Sequence, residues 1–347
     1  MTHETSACRA LGDMTAPVQK EARDLFERYR VLEQPAEYDL ERCADIGAVV
    51  AEIRDLKKRE DAVILAHNYQ RPEIFEVADF VGDSLELARR GRDVEQSTIV
   101  LCGVHFMAET AKILSPDKRV LIPDARAGCS LAESADADEV AARAAELRRV
   151  YPDLKVVSYV NTTAAVKAVS DACVTSSNAL KVVESIDSRN ILFIPDENLA
   201  GWVAQNTDKN IIAWNGNCYV HHQIRPEQIR RVREAMPNVR VVVHPECRED
   251  VIAEADAVLS TSGMIKYARE SDAVDFLIVT ECGLSDRLLL EVPEKHFYKA
   301  CGLCKYMKMI TLEGTRDCLR TGRDEIVLAP EVSAAARRAL ERMIELS

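Results

Sequence analysis

No run of apolar residues in this chain approaches the roughly 18 needed for a membrane-spanning helix, so no membrane association is expected. The sequence also lacks a basic excess: 45 Lys and Arg stand against 57 Asp and Glu, a formal net charge of −12. That balance argues against nucleic acid or an anionic membrane as the main partner, because both select positive charge. The basic clusters Lys57-Lys58-Arg59, Arg89-Arg90 and Arg230-Arg231 read as solvated helix faces. Residues 1–16 are polar and lack the apolar centre of a secretory signal, so a cytoplasmic, thiol-reducing location is expected. Eleven cysteines in such a compartment are not expected to build a disulfide framework, which leaves metal binding, catalysis or core packing. Cys102, Cys173 and Cys282 lie in or at the ends of apolar runs and read as small core residues.

What is present is the composition of a folded α/β protein. At 347 residues and 47% hydrophobic, the chain is too long for one ordinary core. Buried parallel strands read as short continuous apolar runs between helical segments, and twelve such runs fall into three sets of four. The first strands are expected at 62–66, 155–158 and 240–243, the second at 79–81, 172–174 and 257–259. The third fall at 98–101, 190–194 and 275–279, and the fourth at 119–122, 211–213 and, less clearly, 296–298. Helical periodicity occupies 85–90, 106–114, 179–186 and 265–270 between them.

The sets also match in detail: Ala78-Asp79-Phe80-Val81-Gly82-Asp83-Ser84 aligns with Ser170-Asp171-Ala172-Cys173-Val174-Thr175-Ser176 and Ala255-Asp256-Ala257-Val258-Leu259-Ser260-Thr261. A period of about 85–90 residues points to three-fold duplication of a small α/β domain. The expected organisation is an N-terminal helical extension over 1–46, αβα repeats over 47–139, 140–227 and 228–312, and a C-terminal helical tail over 313–347. The extension carries an amphipathic segment at 20–29 and the tail a helical run at 333–346.

Ligands of open parallel sheets bind at the carboxyl ends of the strands. After the first strands stand His67-Asn68-Tyr69, Tyr159-Val160-Asn161 and His244-Pro245-Glu246. After the second stand Asp83-Ser84, Thr175-Ser176-Ser177 and Ser260-Thr261-Ser262. After the fourth come Cys129, Cys218 with His221 nearby, and Cys304. Repeats set around a pseudo-three-fold axis would turn all nine groups toward one cavity. The hydroxyls precede helices, where Ser and Thr serve both as caps and as anion-binding groups. Three such sets around one cavity suit a substrate with several carboxylates or phosphates. Glu246 is the only carboxylate of the first-strand set and reads as a proton shuttle.

Cys129, Cys218 and Cys304 are 89 and 86 residues apart, a spacing that three copies of one unit would produce by each supplying a thiolate to one centre. Zinc with three protein ligands usually takes His or carboxylate at catalytic sites. Three cysteines fit a [4Fe–4S] cluster short of one of its usual four, with an iron open to act as a Lewis acid in a dehydration. Cys301-Gly302-Leu303-Cys304 leaves open which of its two cysteines is the third ligand.

The segments Ala66-His67-Asn68-Tyr69-Gln70, Gly103-Val104-His105-Phe106-Met107-Ala108-Glu109-Thr110-Ala111-Lys112 and Tyr159-Val160-Asn161-Thr162-Thr163-Ala164 resemble those of the quinolinate synthase family. So do Trp214-Asn215-Gly216-Asn217-Cys218-Tyr219-Val220-His221, His244-Pro245-Glu246-Cys247 and Thr261-Ser262-Gly263-Met264-Ile265, and the likeness runs over about 50–312. The resemblance implies three homologous three-layer αβα domains around a pseudo-three-fold axis and an oxygen-sensitive [4Fe–4S] cluster. It implies condensation of iminoaspartate with dihydroxyacetone phosphate to quinolinate, the pyridine precursor of NAD, with loss of phosphate and two waters. Carried over, the cluster ligands are Cys129, Cys218 and Cys304. His67, Ser84, Tyr159, Asn161, Ser176, His244, Glu246 and Thr261 would hold substrate, and Glu246, Tyr69, His67 and His244 would be catalytic. A transient contact with the aspartate-oxidising enzyme that supplies iminoaspartate is a further expectation. The extension of about 46 residues and the presence of only two cysteines near the last ligand, where some members have three, are departures. The second puts thiol–disulfide regulation through Cys301 in doubt. The competing readings are another [4Fe–4S]-dependent hydro-lyase acting on a small polycarboxylate, and a non-catalytic cluster sensor with a fourth protein ligand.

Overall fold

The structure, a computed structural model, describes residues 16–347 apart from residue 33. All twelve expected strands are present. They form three four-stranded parallel sheets whose order is the same each time, second–first–third–fourth. The first sheet contains β1 (Ala62–His67), β2 (Phe80–Gly82), β3 (Thr98–Cys102) and β4 (Arg119–Leu121). The second contains β5 (Lys155–Tyr159), β6 (Ala172–Val174), β7 (Asn190–Ile194) and β8 (Asn210–Ala213). The third contains β9 (Arg240–Val243), β10 (Ala257–Val258), β11 (Asp275–Val279) and β12 (His296–Lys299). Every residue of β1 and β3 is buried, as continuous apolar strands covered on both faces require. The weakly marked β12 pairs with β11 over four registered positions and is an edge strand, which explains its faint apolar signal.

One hydrogen-bonding device recurs in all three sheets. An aspartate just before or at the start of the second strand turns its carboxylate onto a peptide N–H of the first strand. Asp79 takes Ile64 N at 2.8 Å, Asp171 takes Val156 N at 2.8 Å and Asp256 takes Val241 N at 2.7 Å. The same aspartates donate their own N–H to the carbonyls of Ile64, Val156 and Val241. Each also holds a cation: Lys57 on Asp79, Lys155 and Arg148 on Asp171, Arg233 on Asp256. Lys57, read from the sequence as part of a solvated cluster, therefore has a structural partner at 2.7 Å.

The flanking segments pack on the sheets. Helix Ala16–Tyr29 lies against helix Leu40–Arg59, which runs continuously through residue 46, where the sequence puts the end of the extension. Asp39 caps this helix, and its seam Cys43, Ile46, Val50, Ile53 and Leu56 is buried against the first sheet's core. Helix Leu312–Thr321 packs on the same helix and on β3, while Leu121 pairs antiparallel with Glu325 beyond the edge of the first sheet. Helix Pro330–Leu346 crosses to pack on β6 and on helix Ala164–Ala168 of the second set. Among the described residues, no helix is long and apolar enough to cross a membrane.

Removing the carboxylate of Asp256 leaves the N–H of fully buried Val241 without its acceptor. Asp256→Ala is expected to destabilise the fold by about 1–3 kcal/mol, the usual penalty for a buried unpaired donor, read as a lowered urea midpoint.

Candidate functional site

The parallel strands aim their carboxyl ends at one buried cavity. Its lining includes His67, Tyr69, Ser84, Cys129, Tyr159, Asn161, Ser176, Cys218, His221, His244, Glu246, Thr261 and Cys304. All twelve residues singled out by sequence are among these, drawn from all three sheets. His221, read from the sequence as a neighbour of Cys218 and a candidate fourth cluster ligand in the sensor reading, stands at the centre.

Glu246 follows β9 and is buried at 3% exposure. One carboxylate oxygen accepts from Tyr159 Oη at 2.5 Å and the other faces His221 Nδ1 at 2.8 Å. His221 Nε2 lies 2.8 Å from Thr280 Oγ1, which is 2.6 Å from Tyr69 Oη. With an acceptor at Nδ1's end, the consistent assignment is that Tyr69 donates to Thr280, Thr280 to His221, and His221 to Glu246. The result is an unbroken chain Tyr69–Thr280–His221–Glu246–Tyr159. Burial alone would raise the Glu246 carboxyl, but the attraction and hydrogen bond of the His221 N–H, His244, and the Tyr159 hydroxyl outweigh it and hold the carboxyl far below the usual range. Burial and the Glu246 charge push both tyrosines well above their ordinary values, so they keep their protons.

His67 and His244 occupy corresponding places after β1 and β9. In both, Nδ1 accepts a peptide N–H from two residues on: Tyr69 N at 3.2 Å and Glu246 N at 3.4 Å. The proton of each neutral ring therefore sits on Nε2. Burial lowers both pKa values to about 3. His244 stacks on His221 with ring centroids 4.6 Å apart.

The hydroxyl positions separate into caps and cavity groups. Asp83 and Ser260 cap helices Ser84–Asp93 and Thr261–Glu270, leaving Ser84 and Thr261, the first helical residues, to line the cavity. Thr261 Oγ1 accepts from Asn68 Nδ2 at 2.7 Å. Ser176, at the matching place after β6, lines the cavity as well. Asn161 lines the cavity and its buried Oδ1 has no protein partner, an acceptor that a ligand donor would satisfy.

The three cysteine loops are built alike. A small residue two places before each cysteine accepts, through its carbonyl, an N–H from just past the third strand. The bonds are His105 N to Ala127 O at 2.7 Å, Glu197 N to Gly216 O at 2.7 Å and Cys282 N to Gly302 O at 3.2 Å. Glycine is needed at two of these: a Cβ on Gly216 would stand 2.6 Å from Pro195 O, and one on Gly302 2.9 Å from Val220 O. At Cys218 the sulfur also lies 3.3 Å from His221 Nδ1. Burial raises all three thiols, Cys129 to about 12.

Two expectations about cysteines are corrected here. Cys282 is not simply a small core residue, and a single disulfide does form among the described residues, because Cys282 and Cys301 are bonded. The reason is topological: β11 and β12 are paired neighbours, so residues just past their ends lie side by side, with Cα atoms 5.2 Å apart. Cys301 being tied, Cys304 is the free thiol of that C-x-x-C and the one lining the cavity.

The donor set discriminates between metals. Among the described residues, only Cys218, His221 and Glu246 bring three candidate ligand atoms within 4.8 Å of one another. The three thiols do not all lie within that distance. A tetrahedral zinc, with Zn–S near 2.3 Å, needs sulfurs about 3.8 Å apart. The thiols are therefore set wider than one tetrahedral zinc requires, and among the described residues no fourth cysteine lines the cavity.

The sequence rule that found the polar groups was applied to first, second and fourth strands. The third strands carry Pro195-Asp196 and Thr280-Glu281, and both pairs prove to belong to the site's surroundings. Asn68, which bridges to Thr261 and accepts from Arg287, was quoted in a motif but given no role.

Comparison with known proteins gives one answer. The profile of the family described as "Quinolinate synthetase A protein" matches residues 51–345. Similar chains include "Quinolinate synthase 2" of Mesorhizobium japonicum, 48% identical over 94% of this chain and 98% of its own length. The "Quinolinate synthase" of Xylella fastidiosa is 48% identical over 88% and 93%, and that of Thermodesulfovibrio yellowstonii 49% over 87% and 99%.

Histidines held neutral to about pH 3 bind protons more readily in the unfolded chain, whose histidines titrate near pH 6.5. Their stabilising contribution is complete above about pH 6.5 and is lost as pH falls toward 3. The urea midpoint is therefore expected to drop across that window, and to drop less steeply in His244→Asn.

Proposed function

Because the chain belongs to the quinolinate synthase family, we propose that it condenses iminoaspartate with dihydroxyacetone phosphate to quinolinate, releasing phosphate and two waters. In this reading it serves NAD biosynthesis in the cytoplasm, and its three αβα units stand around a pseudo-three-fold axis with boundaries near 46, 139, 227 and 312. The observation that carries the proposal is the convergence of neutral imidazoles, hydroxyls, an ionised carboxylate and three thiols from three sheets on one cavity.

Cys129, Cys218 and Cys304 would hold a [4Fe–4S] cluster. When bound, such a cluster short of one protein ligand supplies a Lewis acid suited to the loss of water. The chain's own residues do the rest. The Nε2–H groups of His67 and His244 donate to substrate carboxylate or phosphate oxygens, joined by the hydroxyls of Ser84, Ser176 and Thr261. Asn161 Oδ1 accepts from a substrate N–H or O–H. Glu246, ionised and held between Tyr159 and His221, takes a proton from the condensing carbon framework. The protonated Glu246 then gives that proton to a departing hydroxyl, while Tyr69, through Thr280, orients His221 behind it. The buried lining excludes bulk water from an imine that hydrolyses readily. Transient docking of the aspartate-oxidising enzyme would shorten the exposure of iminoaspartate further.

The acceptors and donors explain why a sensor is the weaker reading: a cluster kept only for structure needs no anion-binding lining. A hydro-lyase for another small polycarboxylate would use the same lining, and only the substrate test separates it.

Anaerobically reconstituted protein given fresh iminoaspartate and dihydroxyacetone phosphate is expected to form quinolinate, with Cys129→Ala, Cys218→Ala and Cys304→Ala inactive. No product from protein with full iron, sulfide and cluster absorbance would rule the synthase reading out. Glu246→Gln is expected to keep the cluster and lose about 10²–10⁴-fold in turnover, the usual range for a general acid–base group.

A further inference from the structure

Two buried carboxylates that the proton-transfer chain does not use stand directly behind two of the three cysteines. Asp196, two residues past β7, is 0% exposed; its Oδ1 accepts from Leu199 N at 2.7 Å and its Oδ2 from Cys218 N at 3.1 Å. Glu281, two residues past β11, is 1% exposed; its Oε2 accepts from Gly283 N at 2.7 Å and its Oε1 from Cys304 N at 3.1 Å. The positions correspond, and so does the arrangement: one oxygen on the start of the following helix, the other on the peptide N–H of the cysteine. Lys308 also pairs with Glu281 at 3.2 Å. At the corresponding place past β3 the chain has Val104, which has no acceptor to offer. Among the described residues no carboxylate stands on the Cys129 peptide N–H, and the first loop is held by backbone bonds such as His105 N to Ala127 O, Ala127 N to Asp124 O and Glu133 N to Cys129 O.

A buried carboxyl group is costly to desolvate, which together with the nearby Glu246 charge pushes the Asp196 pKa well above its ordinary value, and two such groups at equivalent places facing the same kind of atom call for a reason. Helix capping accounts for one oxygen of each, since a Ser or Asn side chain caps equally well. The second oxygen is spent on the cysteine. Fixing a cysteine's peptide N–H fixes the plane from which its Cα–Cβ bond departs, and so the direction of the sulfur.

We infer that Asp196 and Glu281 are positioning residues for the sulfurs of Cys218 and Cys304, holding two cysteine loops in ligating geometry while the Cys129 loop is left the more compliant. The inference deepens the cluster reading above and names the residues that stand behind the thiols. It distinguishes the three otherwise similar loops: two are pinned by a carboxylate and one is not.

Asp196→Asn and Glu281→Gln keep size but replace one acceptor oxygen by a donor, so each variant must give up one of its two N–H partners. In the reconstituted protein, each is expected to lose iron to a chelator ten-fold faster or more, in the range that outer-shell partners of metal ligands contribute. A cluster-independent readout uses the cluster-free chain and residue-resolved alkylation. Asp196→Asn should speed labelling of Cys218 but not of Cys304 or Cys129, and Glu281→Gln should speed Cys304 alone. Asp171→Asn is the control, because its carboxylate serves a strand N–H remote from the cysteines. It should lower the unfolding midpoint without changing either readout. Unchanged chelation and labelling in folded Asp196→Asn and Glu281→Gln would overturn the inference, as would equal effects in Asp171→Asn. If the wild-type chain takes up no cluster, the functional reading fails while the labelling pattern still decides whether the carboxylates pin the two loops.

Discussion

The ionised carboxylate of Glu246 is the group on which the cavity's organisation depends. Removing a carboxylate from water costs several kcal/mol unless hydrogen bonds and charge replace the lost solvent. Here Tyr159 from the second sheet and His221 from the short helix after β8 supply them, while Glu246 itself follows β9 of the third. The compensation exists only when two sets are docked. Tyr69 and Thr280 extend it to the first set and back to the third. Docking of the three sheets and completion of the polar chain are therefore one event, because neither the buried charge nor its partners are satisfied alone.

The same economy governs the cysteine loops. Parallel strands deliver their carboxyl ends to one side, and the residues just past the third strand meet the loop that follows the fourth because those strands are hydrogen-bonded neighbours. The struts at Ala127, Gly216 and Gly302 follow from that adjacency, and so does the Cys282–Cys301 bond. One local geometry, repeated, directs three thiols from three sheets into a single cavity.

Much of this was legible in the chain. Fully buried parallel strands announce themselves as uninterrupted apolar runs, so β1, β3, β5, β7, β9 and β11 were plain, and even the short β6 was located at its full extent. The edge strand β12 was fainter because Phe297 is its one buried residue. The alignment of Asp79, Asp171 and Asp256 revealed the repeat before their shared task on the first strand was known. Helix Leu40–Arg59 was not foreseen, because its charged outer face and Gly47 blur the apolar seam that buries it. His221 was undervalued because a four-residue helix gives no periodic signal, and Asp196 and Glu281 because carboxylates after strands are usually solvated.

The sequence by itself determined the strands, their three-fold recurrence and the chemical types gathered at strand ends, since periodicity and residue identity are local properties. Tertiary structure alone decided which nitrogen of each histidine carries the proton and which cysteine of the C-x-x-C stays free. It also decided that Glu246 remains ionised while buried and that carboxylates stand behind two thiols and not the third. Those outcomes depend on distances between groups tens of residues apart, and only packing sets such distances.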